Sequence, residues 1–572
     1  AIKLIKTVRG VYQQMVDYSN LIAEVFVSIT EFHHEAISDN GYPVDKMSNK
    51  LLPEPVVSLR LAHPAKILQA LWTVHRLNPI ELGSFILELL NSAMTIDQST
   101  QILIKPSDAT AWISCPRRVW LDKHQPTAYE PDAFNQLLSD RGLAHEAAML
   151  AKLENQFPVA QAISFEHTQA LIQQGAPVIY QGRLVDERQG LVGYPDFLIR
   201  QESGQYQSAD AKLSLSENKK AIQIQLGIYR RLLGNGLPAM VFLGDGRTAL
   251  LGDEVEWLVD EFITRMRALL ELEQQPLVRY SHSKCRIYPY EAHCRPEFEA
   301  REDISLLYGV HGKAADALTE AGISTISQLA ASTSDTVPDV PYLKGSKRKY
   351  RAILQARSFL SGEIYPLDKA VLPEGTWIHF DIEDNPLTGN RERHVYLWGF
   401  LLPEYAKDDF DYVWTDDETS DYEGWTGFLQ KIEAYRSLYP SIVLAHYSNH
   451  EKATIRKYAE RYAMESHATV TWLLGQNSPL FDIQNPVLNC LVLPLQGYGL
   501  KDICKHPDLV NFQWENQESG SQWSVVQFNR FLSETNPRQR QKLKTEILGY
   551  NRDDVVATRK LELWLRNLFC VD

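Results

Sequence analysis

WIHFDIEDNP, residues 377–386, alternates apolar and polar positions as a half-buried strand does, and it sets two carboxylates, Asp381 and Glu383, two positions apart. Side chains leave a strand by alternate faces, so positions 381 and 383 share one face. Two carboxylates held together repel each other, and a cation between them relieves the repulsion. Two metal ions about 4 Å apart need more oxygen ligands than one strand supplies, so the stretch calls for further acids elsewhere.

Two later segments offer them. SIVLAHYSNHEKATIRKY (441–458) reads as a strand running into a helix, with Glu451 near the junction. YNRDDVVATRKLELWL (550–565) reads as a helix with Tyr550 and Asp554 one turn apart on one face. Asp482 in PLFDIQNP is either an auxiliary acid or a strand-end turn.

Acid-x-acid on a first strand, an acid after a later strand and Tyr-x3-Asp on a late helix resemble the DEDD exonucleases of the RNase H-like fold. The order FDIE, AHYSNHE, YGLKDI, YNRDDVVAT further resembles the domain that bacterial predicted RecB-like nucleases carry after their PD-(D/E)XK nuclease domain. The resemblance implies that Asp381, Glu383, Glu451 and Asp554 hold two Mg²⁺ or Mn²⁺ ions. It makes Tyr550 the residue that orients the attacking water at a 3′ end. Two departures stand out: the third acid is Glu451 where Asp is usual, and His446 stands where Asn is frequent.

A second constellation lies upstream. GYPDFLIRQESGQYQSADAKLS (193–214) reads as two strands around a turn, with Asp196 on the first and Asp210 and Lys212 sharing a face of the second. Two carboxylates can hold a divalent ion, and a neighbouring lysine can position or deprotonate water. RGLAHEAAML adds His145 and Glu146 on a helix, and QLGIY places Gln225 and Tyr229 one turn apart. The ordered set resembles the RecB-like and CRISPR-associated branch of the PD-(D/E)XK nucleases, over about 115–294. That likeness implies His145, Asp196 and Asp210 as metal ligands and Lys212 as catalytic, with Gln225 and Tyr229 touching nucleic acid or ordering the site. Relatives of that branch often carry an iron–sulfur cluster on four cysteines. Here Cys115, Cys285 and Cys294 fall in place but Tyr288 stands where the fourth thiolate belongs. Either a three-iron or open-site cluster binds or the staple has been lost, and the missing ligand favours loss. Cys490, Cys504 and Cys570 lack ligand spacing and read as buried thiols.

Between the two constellations, LLYGVHGKAADALTEAGISTISQLA (306–330) resembles a helix-hairpin-helix. Gly309 is kept and His311 takes the place of the second glycine. A weaker copy, VPYLKGSKRKYRAIL, offers Lys344, Lys347, Arg348, Lys349 and Arg351 either to a nucleic-acid backbone or to solvent as an ordinary linker helix.

The chain of 572 residues, 44% hydrophobic and 23% charged, is too long for one core and implies roughly two to four domains. A net charge of −14 argues against nonspecific wrapping of nucleic acid, although a local basic path is compatible with it. No run approaches the roughly 20 apolar residues of a membrane span, and AIKLIKTVRG lacks the apolar core of a secretory signal. Six cysteines are too few for a disulfide framework, so a cytoplasmic protein is expected. The expected class is multidomain α/β: a mostly helical region without assigned role (1–98), including His33, His34 and Glu35 as surface residues, then a restriction-endonuclease-like RecB-type domain (99–300). A helix-hairpin-helix-like linker (301–370) and an RNase H-like DEDD 3′–5′ exonuclease domain (371–572) follow. The expected function is a metal-dependent nuclease with two separate sites acting on DNA, working with a helicase or another repair or defence protein. The alternatives are a nucleic-acid-binding scaffold with inert sites and an RNase.

Overall fold

Two sequence turns shape this part of the chain. ERQG (187–190) closes a ribbon of β3 (Leu184–Asp186) and β4 (Leu191–Gly193), and ESGQ (202–205) joins β5 (Phe197–Arg200) to β6 (Tyr206–Lys212). Gly204 sits at φ +83, a left-handed conformation that the tight turn needs and that glycine adopts without a Cβ clash. With β1 (Val159–Gln161), β2 (Val178–Tyr180), β7 (Ala239–Leu243) and β8 (Thr248–Leu251), a six-stranded sheet forms in the order β1-β2-β5-β6-β7-β8. β1/β2 and β6/β7 are parallel and the other pairs antiparallel. Helix α1 (Ala133–Glu154) packs on β6, and α2 (Lys220–Leu233) packs on β6 and β7. The Asp132 carboxylate caps α1 by accepting from the Phe134 and Asn135 N–H groups.

In the computed structural model the described residues are 102–127, 131–388, 393–403, 410–439, 441–515 and 521–569. The helical reading of 1–98, His33, His34, Glu35 and Cys570 lie outside them. Ile104–Asp572 forms one compact unit. Among the described residues no helix is long and apolar enough to cross a membrane.

The middle of this unit is helical, with α3 (Gly312–Glu320), α4 (Ile326–Ala331) and α5 (Ser346–Ser361) around a core of Phe298, Ile304, Leu318, Leu329 and Ile353. Thr325 and Gln328 form a reciprocal capping box at the start of α4. The far side of α5 faces the C-terminal part. The buried Gln355 amide donates to Leu493 O at 2.7 Å and Arg351 to Leu491 O at 3.0 Å. β9 (Tyr365–Pro366) pairs there with β15 (Leu491–Val492).

The second sheet has the order β12-β11-β10-β13-β14, built from β10 (Thr376–Asn385), β11 (His394–Leu401), β12 (Phe410–Trp414), β13 (Ile442–His446) and β14 (Leu480–Asp482). The first three are antiparallel, and β13 and β14 run parallel to β10. Every residue of β11 is buried, because both faces of the sheet are covered. On one face, α6 (Asp421–Leu438) and α7 (His450–Arg461) bring Trp425, Phe428 and Tyr458 against Phe380 and Trp398. Later in the chain come the short helix α8 (Leu500–Cys504), then α9 (Ser521–Ser533) and the 33-residue α10 (Pro537–Phe569). Tyr396 of β11 stacks on Phe528 of α9, with Phe531 of α9 and Ile547 of α10 in the same cluster.

Candidate active site

The opening stretch forms the central strand. Asp381 and Glu383 lie two positions apart on β10, just before an irregularity in the β10/β11 register at Glu383/Asp384. Parallel pairing aligns His379 with Ala445, so the end of β13 lies beside the middle of β10 just before Asp381, and the late helix α10 packs on β10. Ligand oxygens of Asp381, Glu383 and Asp554 all lie within 4.8 Å of one another. Three acids from two elements separated by more than a hundred and fifty residues thus share one point.

Tertiary partners hold these acids in place. The Asn551 amide donates to Asp381 Oδ2 at 2.7 Å, and the Trp514 indole donates to Asp554 Oδ1 at 2.7 Å. Ser524 and Asn551 both hydrogen-bond Glu383. Tyr550 donates its hydroxyl proton to Asp554 and accepts from Lys501 Nζ at 3.0 Å. Burial, followed by repulsion from Glu383, Asp554 and Glu451, raises Asp381 well above the usual carboxylate range. Burial and Asp554 push Glu383 up to about 8. Asp554 is also raised by burial, against the opposing pull of Lys501 and its hydrogen bonds.

Gly399 explains how Asn551 reaches Asp381. It is the β11 partner of Asp381, and a Cβ there would stand 1.7 Å from Asn551 Oδ1. Gly399→Ala must therefore expel Asn551 and release Asp381, at a cost of about 1–3 kcal/mol by overpacking. Differential scanning fluorimetry of this variant is expected to give a lower Tm and a weakened response to Mn²⁺. A wild-type Tm with a wild-type Mn²⁺ response would show that Asn551 is dispensable.

Glu451 falls outside the group of three. It is buried at the start of α7, with Oε2 3.2 Å from His446 Nδ1, and that oxygen receives no hydrogen bond. Its charge nevertheless reaches Asp381. Asp482 accepts from the Ser448 and Gln484 N–H groups, which is the strand-end turn.

In the first sheet, Asp196 Oδ2 accepts from Ala211 N at 2.7 Å, and Asp210 Oδ1 accepts from Asp196 N at 3.2 Å. Lys212 pairs with Asp210. Gln225 donates to Asp210 Oδ2 at 3.1 Å and to the Tyr229 hydroxyl at 3.0 Å, and Tyr229 donates to Tyr194 O. Burial and the Asp210 charge push Asp196 up to about 8. Burial works against the Lys212 ammonium, yet the Asp210 and Asp196 carboxylates hold its pKa above the usual lysine value.

Among the described residues neither His145 nor Glu146 joins Asp196 and Asp210 in a three-ligand group. His145 Nε2 lies 3.1 Å from Phe242 O. The neighbouring Glu146 is the α1 acid whose charge reaches Asp196 and Lys212, and it accepts from the Tyr180 hydroxyl at 2.8 Å. Adjacent helical side chains point about 100° apart, so His145 and Glu146 face different surroundings.

Cys115, Cys285 and Cys294 are half-buried free thiols. Burial, and then the nearness of Cys115 and Cys294, raises the Cys285 thiol; burial likewise raises Cys294, opposed by its hydrogen bond from Arg117. Tyr288, in the fourth ligand position, lies with its ring under Arg118. Three thiols and a phenol do not fit a cluster that takes four thiolates. Of the basic residues in the helical middle, Lys344, Lys347 and Arg348 are exposed. Lys349 is paired with Asp339 at 2.9 Å, and Arg351 is spent on Leu491 O, so the latter is an internal tie and not a free cation.

A family model of the RNase H superfamily matches residues 378–566, and the C-terminal part of the chain is an RNase H-like domain. No curated protein matches the chain. Four chains of solved structures match. One of them, titled "Crystal structure of SSO0001", is 14% identical over 38% of this chain and 97% of its own, with a TM-score of 0.19, too low to bear on the fold.

Proposed function

We propose that the chain is a metal-dependent nuclease that trims DNA from 3′ ends at the Asp381–Glu383–Asp554 centre and carries a second hydrolytic site at Asp196, Asp210 and Lys212. The observation that carries the reading is the convergence of three buried or half-buried carboxylates within 4.8 Å inside an RNase H-like domain. The donor set suits hard divalent cations, which take carboxylate oxygens. The buried Glu451 Oε2 without a hydrogen-bond donor is a further oxygen for such an ion.

Asp381, Glu383 and Asp554, with Glu451 behind them, would hold Mg²⁺ or Mn²⁺. Bound ions of this kind activate water and stabilise the leaving 3′ oxygen. Asn551 and Trp514 fix the carboxylate orientations by hydrogen bonds that leave their other oxygens to the ions. Tyr550, held at its hydroxyl by Asp554 and Lys501, orients the attacking water. At the first site, Lys212 beside Asp210 would position water against a phosphate, and Gln225 and Tyr229 order the acid. Lys344, Lys347 and Arg348 offer a short exposed basic path for the nucleic-acid backbone.

The test is hydrolysis of 3′- and 5′-labelled single- and double-stranded DNA and RNA with Mg²⁺ or Mn²⁺. Shortening from the 3′ end of DNA supports the reading. Absence of cleavage on every substrate would leave a scaffold, and cleavage of RNA alone would make it an RNase.

A further inference from the structure

We propose that Lys501 is a positioning residue of the C-terminal centre: its ammonium is the resident cation of the acid cluster and aligns the Tyr550 hydroxyl. The inference rests on the nuclease reading for its catalytic part, and on the placement and charge of Lys501 for its electrostatic part.

Lys501 lies on α8, an element that supplies none of the three clustered acids. Its Nζ is 3.0 Å from the Tyr550 hydroxyl, 4.4 Å from the centre of the Tyr550 ring and 5.4 Å from that of Trp514. Those two rings are the groups that hydrogen-bond Asp554. Lys501 thus touches both supports of one acid; burial lowers its pKa below the usual lysine value, while the charges of Asp554, Glu383 and Asp381 work the other way and favour its ammonium. A lysine ammonium has three donors and no acceptor, so it cannot serve as a metal ligand while charged. In the metal-free protein it offsets part of the carboxylate repulsion. Once ions occupy the cluster, the same charge opposes them and leaves Lys501 to hold Tyr550.

The neighbouring chain fixes this placement. Asp502 is paired with Arg286 at 3.2 Å and with His282 at 3.4 Å, and Gln496 accepts from Arg295 at 3.2 Å. The Tyr498 hydroxyl donates to Gln355 Oε1 at 3.0 Å. At Gly497 a Cβ would meet both Asp502 Oδ2 and His282 Nε2 at 2.5 Å. Residues 496–502 are therefore held on several sides, and Lys501 projects from a braced segment.

The role has a signature that simple structural support lacks, because removing a cation from an acid cluster tightens its hold on another cation. Full-length Lys501→Met is expected to melt lower in chelator and to reach half of its Mn²⁺-induced thermal shift at a concentration about threefold lower than wild type or less. Its kcat for 3′-end cleavage should fall roughly 10- to 100-fold with a much smaller change in KM. Lys501→Arg keeps the charge and should keep the wild-type Mn²⁺ midpoint, so a misfolded methionine variant still leaves the idea open to refutation. An unchanged or weaker Mn²⁺ midpoint in Lys501→Met, or a tightened one in Lys501→Arg, overturns the proposal. If the wild type is stabilised by Mn²⁺ but cuts nothing, the nuclease reading fails, and the midpoints still judge the resident cation.

Discussion

Asp381→Asn with Glu383→Gln is expected to abolish 3′-end cleavage while leaving the metal-free protein at least as stable as wild type. The two substitutions nearly preserve shape and remove two charges from a place where burial and mutual repulsion already disfavour them. The pH dependence carries the same message. Glu383 is raised from a usual value of 4.5 to about 8, and Asp381 and Asp554 are raised as well. A carboxyl group raised in the folded state contributes stability that is fully present below its unfolded pKa and is lost as pH rises through its folded one. Metal-free wild type should therefore lose several degrees of Tm between about pH 4.5 and 8, and the double variant should lose much less. The opposing charges in the same place are Lys501 on α8, and Glu451 and Asp554 remain in both proteins. Thermal melts in chelator across that range check the sign. Identical slopes, or wild-type trimming by the double variant with Asp210 also replaced, would reduce FDIE to an ordinary strand.

The second large effect is expected at Asp210. Its carboxylate pairs with Lys212, accepts from Gln225 and accepts from the Asp196 N–H, so Asp210→Asn unsettles every member of that site at once. Whatever cleavage survives in the Asp381/Glu383 double variant should fall by about 100-fold or more when Asp210 is also changed. The single Asp210→Asn variant should still trim 3′ ends. Each site draws its acids from its own sheet and from the helices packed on it, which is the reason for independence, although α1 also reaches α9 through Arg141, which donates to Asn529 at 2.7 Å. Loss of both activities by Asp210→Asn, with an intact melt, would mean that a single centre does all the work.

Much of this was legible because it is local. Alternation gave β10 and the shared face of Asp381 and Glu383, helical spacing gave Tyr550 with Asp554 and Gln225 with Tyr229, and turn residues gave the β3/β4 and β5/β6 hairpins. The supports were hidden because they arrive from other elements. Asn551 follows Tyr550 directly, and nothing in periodicity says that both reach the acids; the signal lay in Gly399, a glycine in a strand interior, where a close approach is a standing suspicion. Lys501 sat inside a quoted motif, yet a lysine between turn-like residues reads as surface until the fold packs Tyr550 and Trp514 against it. The choice between His145 and Glu146 turns on helix rotation, which sequence spacing alone does not fix. Arg351 looked like a phosphate contact because its neighbours are basic, whereas its guanidinium serves a backbone carbonyl 140 residues away.

The Gln355 and Arg351 ties and the β9/β15 ribbon mean that covalent continuity near residue 370 does little to keep the chain together. The connection there is exposed, Val371 at 87%, while the segments on either side are joined by buried hydrogen bonds and a strand pair. A protease that nicks at Val371 should produce two polypeptides on a denaturing gel and one particle on a sizing column. The helical middle in that sense braces the RNase H-like domain, and a fragment that begins after Val371 is expected to melt lower than the full chain.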